Sequence, residues 1–98
     1  MNWDEIKQAY PIGSIRNWVV KRFPPYPALM DNNDLDINAV LNIIHFPNPP
    51  FKHLEEGDIV QCIVIDHSPI DKKVRLSALA EDILNGQYFI EESKKYPH

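Results

Sequence analysis

The stretch from Gly57 to Ser77 limits the folding choices of this chain more than any other. Ile59 to Ile65 is almost wholly apolar and rich in β-branched residues, interrupted only by Gln61 and Cys62. Side chains branched at Cβ are stiff at χ1 and suit a pleated strand better than a helix. Gly57-Asp58 punctuates the start of this run. His67-Ser68-Pro69-Ile70-Asp71 then supplies turn chemistry, because Pro69 fixes φ and cannot donate to a ladder. Lys73 to Ser77 alternates around Val74 and Leu76, which predicts a second short strand.

The rest of the chain adds three strands and two helical ends. Trp3 to Tyr10 reads as a short helix that Asn2 or Asp4 can cap, with Trp3, Ile6 and Tyr10 on one stripe. A helix this short is unstable alone, so the stripe is expected to dock on its own barrel. Pro11 ends it. Ser14 to Phe23 reads as the first strand, with Ile15, Val19 and Phe23 on one parity and Trp18 and Val20 on the other. Pro24-Pro25 breaks pairing. Tyr26 to Asp31 reads as the second strand, with an edge or bulge at Pro27. Asp31 to Asn38 is a polar connection, and Ala39 to Ile44 reads as the third strand.

A proline-rich loop follows from Pro47 to about Glu56, the longest irregular stretch, where small barrels often bind. Phe46 and Phe51 there either plug the barrel end or form a recognition patch. Ser77 can cap a final helix from about Ala78 to Asn85, which Gly86 stops, and the tail from Gln87 is mixed. Five short strands with a long third-to-fourth connection form the pattern of a five-stranded OB-fold barrel, an all-β class.

The chain of 98 residues makes one domain. Its N-terminus is acidic and lacks an apolar signal region, and a single cysteine, Cys62, excludes an intramolecular disulfide. These features point to a reducing cytoplasm and away from a membrane. The formal charge of −4 argues against a broad basic footprint for nucleic acid. A local cluster of cations can still outweigh a distant acidic face, since charges are screened beyond about 8 Å.

The residues from Ile12 to Ser77 carry a resemblance to a known family. Ile12-Gly13-Ser14-Ile15 followed by Val19-Val20 is similar to an opening glycine and first strand. Tyr26-Pro27-Ala28-Leu29-Met30-Asp31 lies where Phe-Gly-Ala-Phe-Val-Asp is usual, and Ala39-Val40-Leu41-Asn42-Ile43 where Gly-Leu-Val-His-Ile is usual. Gly57-Asp58 and Val74-Arg75-Leu76-Ser77 match best. Together these resemble the S-one-type RNA-binding domain, a five-stranded OB-fold barrel, and the leading Trp-Asp-Glu-Ile-Lys looks like its small stand-alone bacterial members. The resemblance implies a helical extension over 1–11, the barrel over 12–78, and a helix and tail over 79–98.

It also implies a non-enzymatic module that binds single-stranded RNA by base stacking and phosphate neutralisation. The residues expected to do so are Arg16, Trp18, Arg22, Tyr26, Asn42 and Arg75, with Lys21 beside them. Tyr26 keeps the family's first stacking position, while Leu29 stands at the second and Asn42 replaces a histidine. The alternative is a barrel that has lost RNA binding and takes a protein partner.

Other chemistries find little support. Asp34-Leu35-Asp36-Ile37-Asn38 begins like a calcium loop, but Ala39 stands where glycine should turn and His45 where a bidentate Glu should close it. His45, His53, His67 and His98 are scattered without ligand spacing, so neither a metal nor a cofactor is expected. Ser14, Ser68 and Ser77 lack a nucleophile-elbow context. Glu55-Glu56-Gly57-Asp58 reads as an exposed acidic turn, and Cys62 as a small core residue.

Overall fold

The computed structural model describes residues 2–23, 26–32, 37–47 and 54–95. A helix, α1, spans Trp3–Ala9; the strands are β1 (Ile15–Arg22), β2 (Ala28–Asp31), β3 (Ala39–Leu41), β4 (Ile59–Ser68) and β5 (Lys73–Ser77). A single 3-10 turn, Ile43–His45, follows β3, and helices α2 (Ala80–Leu84) and α3 (Gly86–Lys95) follow β5. The strands close a barrel in the order β1-β2-β3-β5-β4, with β3 and β5 parallel and the other neighbours antiparallel. This is the five-stranded OB-fold.

Alternation along each strand decides which side chains meet inside. Trp18 and Val20 of β1, Ala28 and Met30 of β2, and Ala39 and Leu41 of β3 are buried together with Cys62, Val64, Val74 and Leu76. Burying each large aliphatic side chain contributes about 1.5–3 kcal/mol. Burial pushes the Cys62 thiol up to about 12, because the interior penalises a thiolate.

Several elements depart from the sequence expectation. The third strand stops at Leu41, and Ile43 to His45 wind into the 3-10 turn, where the His45 amide donates to the Asn42 carbonyl at 3.0 Å. Pro27 stands ahead of β2 rather than inside it; the register shift falls in β1, between Val20 and Arg22. β4 runs to Ser68, through residues expected in the turn, with its own register shift between Val64 and Asp66. The tail is helical: Gly86 opens α3 rather than ending the chain's last helix. The Asp34 to Asp36 segment, Pro24-Pro25, Phe51, His53 and His98 lie outside the described residues.

Both terminal segments dock on the barrel for identifiable reasons. The Asn2 side chain caps α1 by accepting from the Glu5 amide at 2.9 Å. Ile6 and Tyr10 are buried, Trp3 meets the buried His67 ring edge-on at 6.0 Å, and the Tyr10 carbonyl lies 2.7 Å from His67 Nε2. On the far side, α3 lies across the outward side chain of Ile63, which is fully buried. Gly13 permits this approach. Its φ of +91° suits glycine, and a Cβ there would sit 2.7 Å from Ile90 Cδ1.

Candidate nucleic-acid interface

One row of outward side chains crosses the barrel. In register, Arg22 pairs with Leu29, Leu29 with Val40, Val40 with Arg75, and Arg75 with Asp66. Three strand spacings, about 14 Å in all, separate the backbones of Arg22 and Arg75. Two guanidinium-bearing residues therefore flank an apolar centre in which Leu29 is half-buried and Val40 is buried. Arg22 is exposed, and Arg75 is partly so. Arg75 Nε lies 3.9 Å from Asp66 Oδ2, a loose surface pair in which the carboxylate orients the guanidinium without burying it.

Tyr26 and Asn42 border this row. Tyr26 is half-buried and meets Phe23 edge-to-face, with ring centroids 4.8 Å apart. The two rings form an aromatic corner between the end of β1 and the start of β2. Asn42 follows β3 directly, one step beyond the pair of Ala28 with Leu41, and is half-buried. Lys21 is exposed beside Arg22 at the end of β1. Aromatic faces beside cations are the groups that single-stranded nucleic acids engage through bases and phosphates.

Two of the expected residues do not join this face. Trp18 has no exposed surface: it points into the barrel and packs on Tyr10 at 5.2 Å. Its position between Val20 and the barrel end makes it a core residue, so no base can stack on it. Its indole Nε1 is buried without an acceptor among the described residues. Arg16 shares that inward parity but sits at the start of β1, where its side chain leaves the barrel. It donates to the Ala9 carbonyl at 3.1 Å and lies 5.0 Å above the Tyr10 ring. Arg16 thus fastens the end of α1, apart from the row.

The structure also brings in two residues that the sequence reading did not assign to this face. Phe23 was assigned only to the first strand, but its stacking on Tyr26 makes it half of the aromatic corner. Asp66 falls between the apolar run, which ends at Ile65, and the turn residues from His67. Its charge at the end of the run is the one sequence signal, and only the register shift between Val64 and Asp66 sets it against Arg75.

Comparison with known proteins agrees with this topology. The chain is 31% identical over 88 residues to small ribosomal subunit protein bS1 of Chlamydia trachomatis, covering 86% of this chain and 15% of that protein. It is 30% identical over 79 residues to the same protein of Chlamydia muridarum, covering 76% and 14%. The barrel is an OB-fold domain of the S-one type. No family model matches the chain. An uncharacterized protein of Methanocaldococcus jannaschii, MJ1198, shares the fold at a TM-score of 0.57 and 20% identity, over 69% of this chain and 90% of that one.

Within this S-one-type barrel, Leu29 is the half-buried apolar centre of the row, because Val40 beside it is buried. Stacking chemistry is therefore confined to the Phe23–Tyr26 corner, with charge at both ends of the row. Ser77, His45 and Asp82 also come together, but not as a nucleophile and base. The fully buried Ser77 hydroxyl donates to Asp82 Oδ2 at 2.5 Å, and His45 Nδ1 lies 3.8 Å from the same oxygen. The carboxylate stands between serine and imidazole, so the imidazole cannot take the serine proton. Among the described residues, no three His, Cys, Asp or Glu side chains gather to hold a metal. No helix among them is long and apolar enough to cross a membrane.

Proposed function

We propose that this S-one-type barrel binds single-stranded RNA without catalysing a reaction, using the outer face of β1, β2, β3 and β5. The observation that carries the reading is the row from Arg22 through Leu29 and Val40 to Arg75, bordered by the Phe23–Tyr26 corner and Asn42. OB-folds take oligonucleotides on the face of their second and third strands. Arg22, Arg75 and Lys21 would neutralise phosphates, Tyr26 and Phe23 would stack on a base, and Asn42 would hydrogen-bond a base or sugar. Relatives named as small ribosomal subunit proteins favour RNA over DNA. The chain spans about 15% of their length, so the proposal concerns this one module. Its RNA-binding unit is the barrel, 12–78, with 1–11 and 79–98 as extensions, working in a bacterial cytoplasm.

Anisotropy titration of a labelled unstructured RNA tests this. With three phosphate contacts, raising salt from 50 to 200 mM should weaken binding roughly tenfold to twentyfold. The double variant Tyr26→Ala with Arg75→Ala should weaken it by about 2–3 kcal/mol. Absence of binding at low salt, or an unchanged affinity in the double variant, overturns the reading.

A further inference from the structure

A second surface lies at the start of β4, at the other end of that strand from Asp66 and Arg75. A groove of about 390 Å³ opens there, walled chiefly by Phe46, Pro47, Leu54, Ile59, Ala80 and Ile83. Its walls come from the 3-10 turn, the approach to β4 and α2. Of these walls, Ile59 is 71% exposed. An apolar concavity with an aliphatic wall as open as Ile59 marks a contact site rather than scattered surface residues.

The groove is held in shape. The Ser77 hydroxyl donates to Asp82 at 2.5 Å and accepts from the Leu79 amide at 3.2 Å, tying the first turn of α2 to the end of β5. The Ala78 amide donates to the His45 carbonyl at 2.8 Å, tying the 3-10 turn to the same point. A preformed groove loses little freedom on binding.

The charge around it selects the occupant. Asp58 lines the groove, Glu55 precedes it in the exposed turn, and Glu81 is exposed on α2 between Ala80 and Asp82, whereas the Glu56 carboxylate turns to β1 and accepts from the Phe23 amide at 3.5 Å. The Asp58 carboxylate accepts from the Glu55 amide at 2.9 Å, which holds that acidic turn against the groove. No lysine or arginine among the described residues lines it. An apolar floor under an acidic rim repels phosphate and complements a cationic, apolar-anchored peptide.

We infer that this groove binds a basic amphipathic segment of a partner protein, with an aliphatic or aromatic anchor on Ile59 and Ile83 and Lys or Arg against Glu55, Asp58 and Glu81. The groove lies at the opposite end of β4 from Arg75, and its Asp58 borders β1, where the Val20 amide donates to the Asp58 carbonyl at 2.9 Å. Arg75 pairs with Asp66, seven residues along β4 from Ile59 and about 20 Å away along the strand.

The test is selection from a random peptide phage library on the full chain, followed by anisotropy with the enriched peptide, labelled. The expected result is enrichment of peptides with two or more Lys or Arg around an apolar anchor. Their affinity should fall at least tenfold in Ile59→Asp and several-fold in Glu81→Lys, both at exposed positions, with circular dichroism unchanged. Tyr26→Ala with Arg75→Ala should leave peptide affinity intact, so failure of the RNA reading and failure of this one are separable. No enrichment, peptides without a basic bias, or equal binding to Ile59→Asp overturns the inference. So does concentration-dependent dimerisation in sedimentation that Ile59→Asp abolishes, because it assigns the groove to a second copy of this chain.

Discussion

The inside of the barrel around Trp18 and its outer face around Arg22 and Arg75 are built from the same strands, yet they answer to different forces. Inside, Trp18, Leu41 and Leu76 are shielded from water and make contacts in every direction, so size and shape govern what can stand there. Outside, Arg22 and Arg75 keep their charge in solvent, so reach and sign govern. One residue step along β1 changes which rule applies. An aromatic ring therefore serves stability at position 18 and is available to a ligand at position 26. The two regions can be perturbed separately, and that separation is the testable content of the comparison.

The largest effect is expected at Trp18. Trp18→Ala should cost about 3–5 kcal/mol of stability in chemical denaturation, through lost burial and an unfilled cavity. Wherever the variant remains folded, RNA affinity should change little. A variant of native stability that has lost RNA binding would break the comparison, because it would put Trp18 on the ligand. The outer face should do the reverse. Tyr26→Ala with Arg75→Ala should remove about 2–3 kcal/mol of RNA binding while moving the unfolding midpoint by less than the Trp18 variant does. Loss of fold in that double variant would mean that Phe23 and Tyr26 close the barrel rather than meet a base.

Cys62 sharpens the interior half of the comparison through pH. Its thiol is pushed up to about 12 by burial, whereas an unfolded thiol titrates near ~8.5. The folded state therefore holds its proton where the unfolded chain has released it. Stability from this group is fully present below about pH 8.5 and declines as pH rises toward 12, by about 1.4 kcal/mol per unit at most. Between pH 8 and pH 10, the wild type should lose about 1–2 kcal/mol more than Cys62→Ala. Parallel stability curves for the two proteins would show that the thiol is not shielded as the interior requires. In the native protein below pH 9, alkylating reagents should leave Cys62 unmodified until denaturant is added.

The sequence was most legible where local chemistry and burial agree. Lys73–Ser77 emerges as a strand with the expected bounds, because Val74 and Leu76 alternate cleanly with polar neighbours. The stripe of Ile6 and Tyr10 likewise foretold docking of α1. Legibility failed where tertiary contacts override the local pattern. Ile43 and Ile44 have strand chemistry, yet the chain turns there because β3 is held for only three residues between β2 and β5. The tail from Gln87 forms α3 because Ile63 offers outward apolar surface to cover, a demand written on a distant strand. Trp18 was misassigned for the same reason. Its type suggested stacking, but its parity with Val20 placed it inside. Arg75 faces outward through a register with Val40 that no local pattern encodes.

Arg16 gives the smallest and most discriminating prediction. It is a cation on β1, exposed, and close in sequence to the proposed RNA face. By residue type it belongs with Arg22; by geometry it belongs with α1, through its bond to the Ala9 carbonyl and its position over Tyr10. An exposed cation–π contact is worth about 0.5–1 kcal/mol, and its stem also covers apolar surface. Arg16→Gln should therefore lower stability by at most about 1 kcal/mol and loosen α1, seen as faster amide exchange at Ile6 and Tyr10. RNA affinity should stay within about twofold of wild type at fixed salt, and the salt dependence should keep its slope, since no phosphate contact is lost. A slope reduced by about 0.7 would instead count Arg16 among the phosphate-binding groups and extend the RNA face around the barrel to α1.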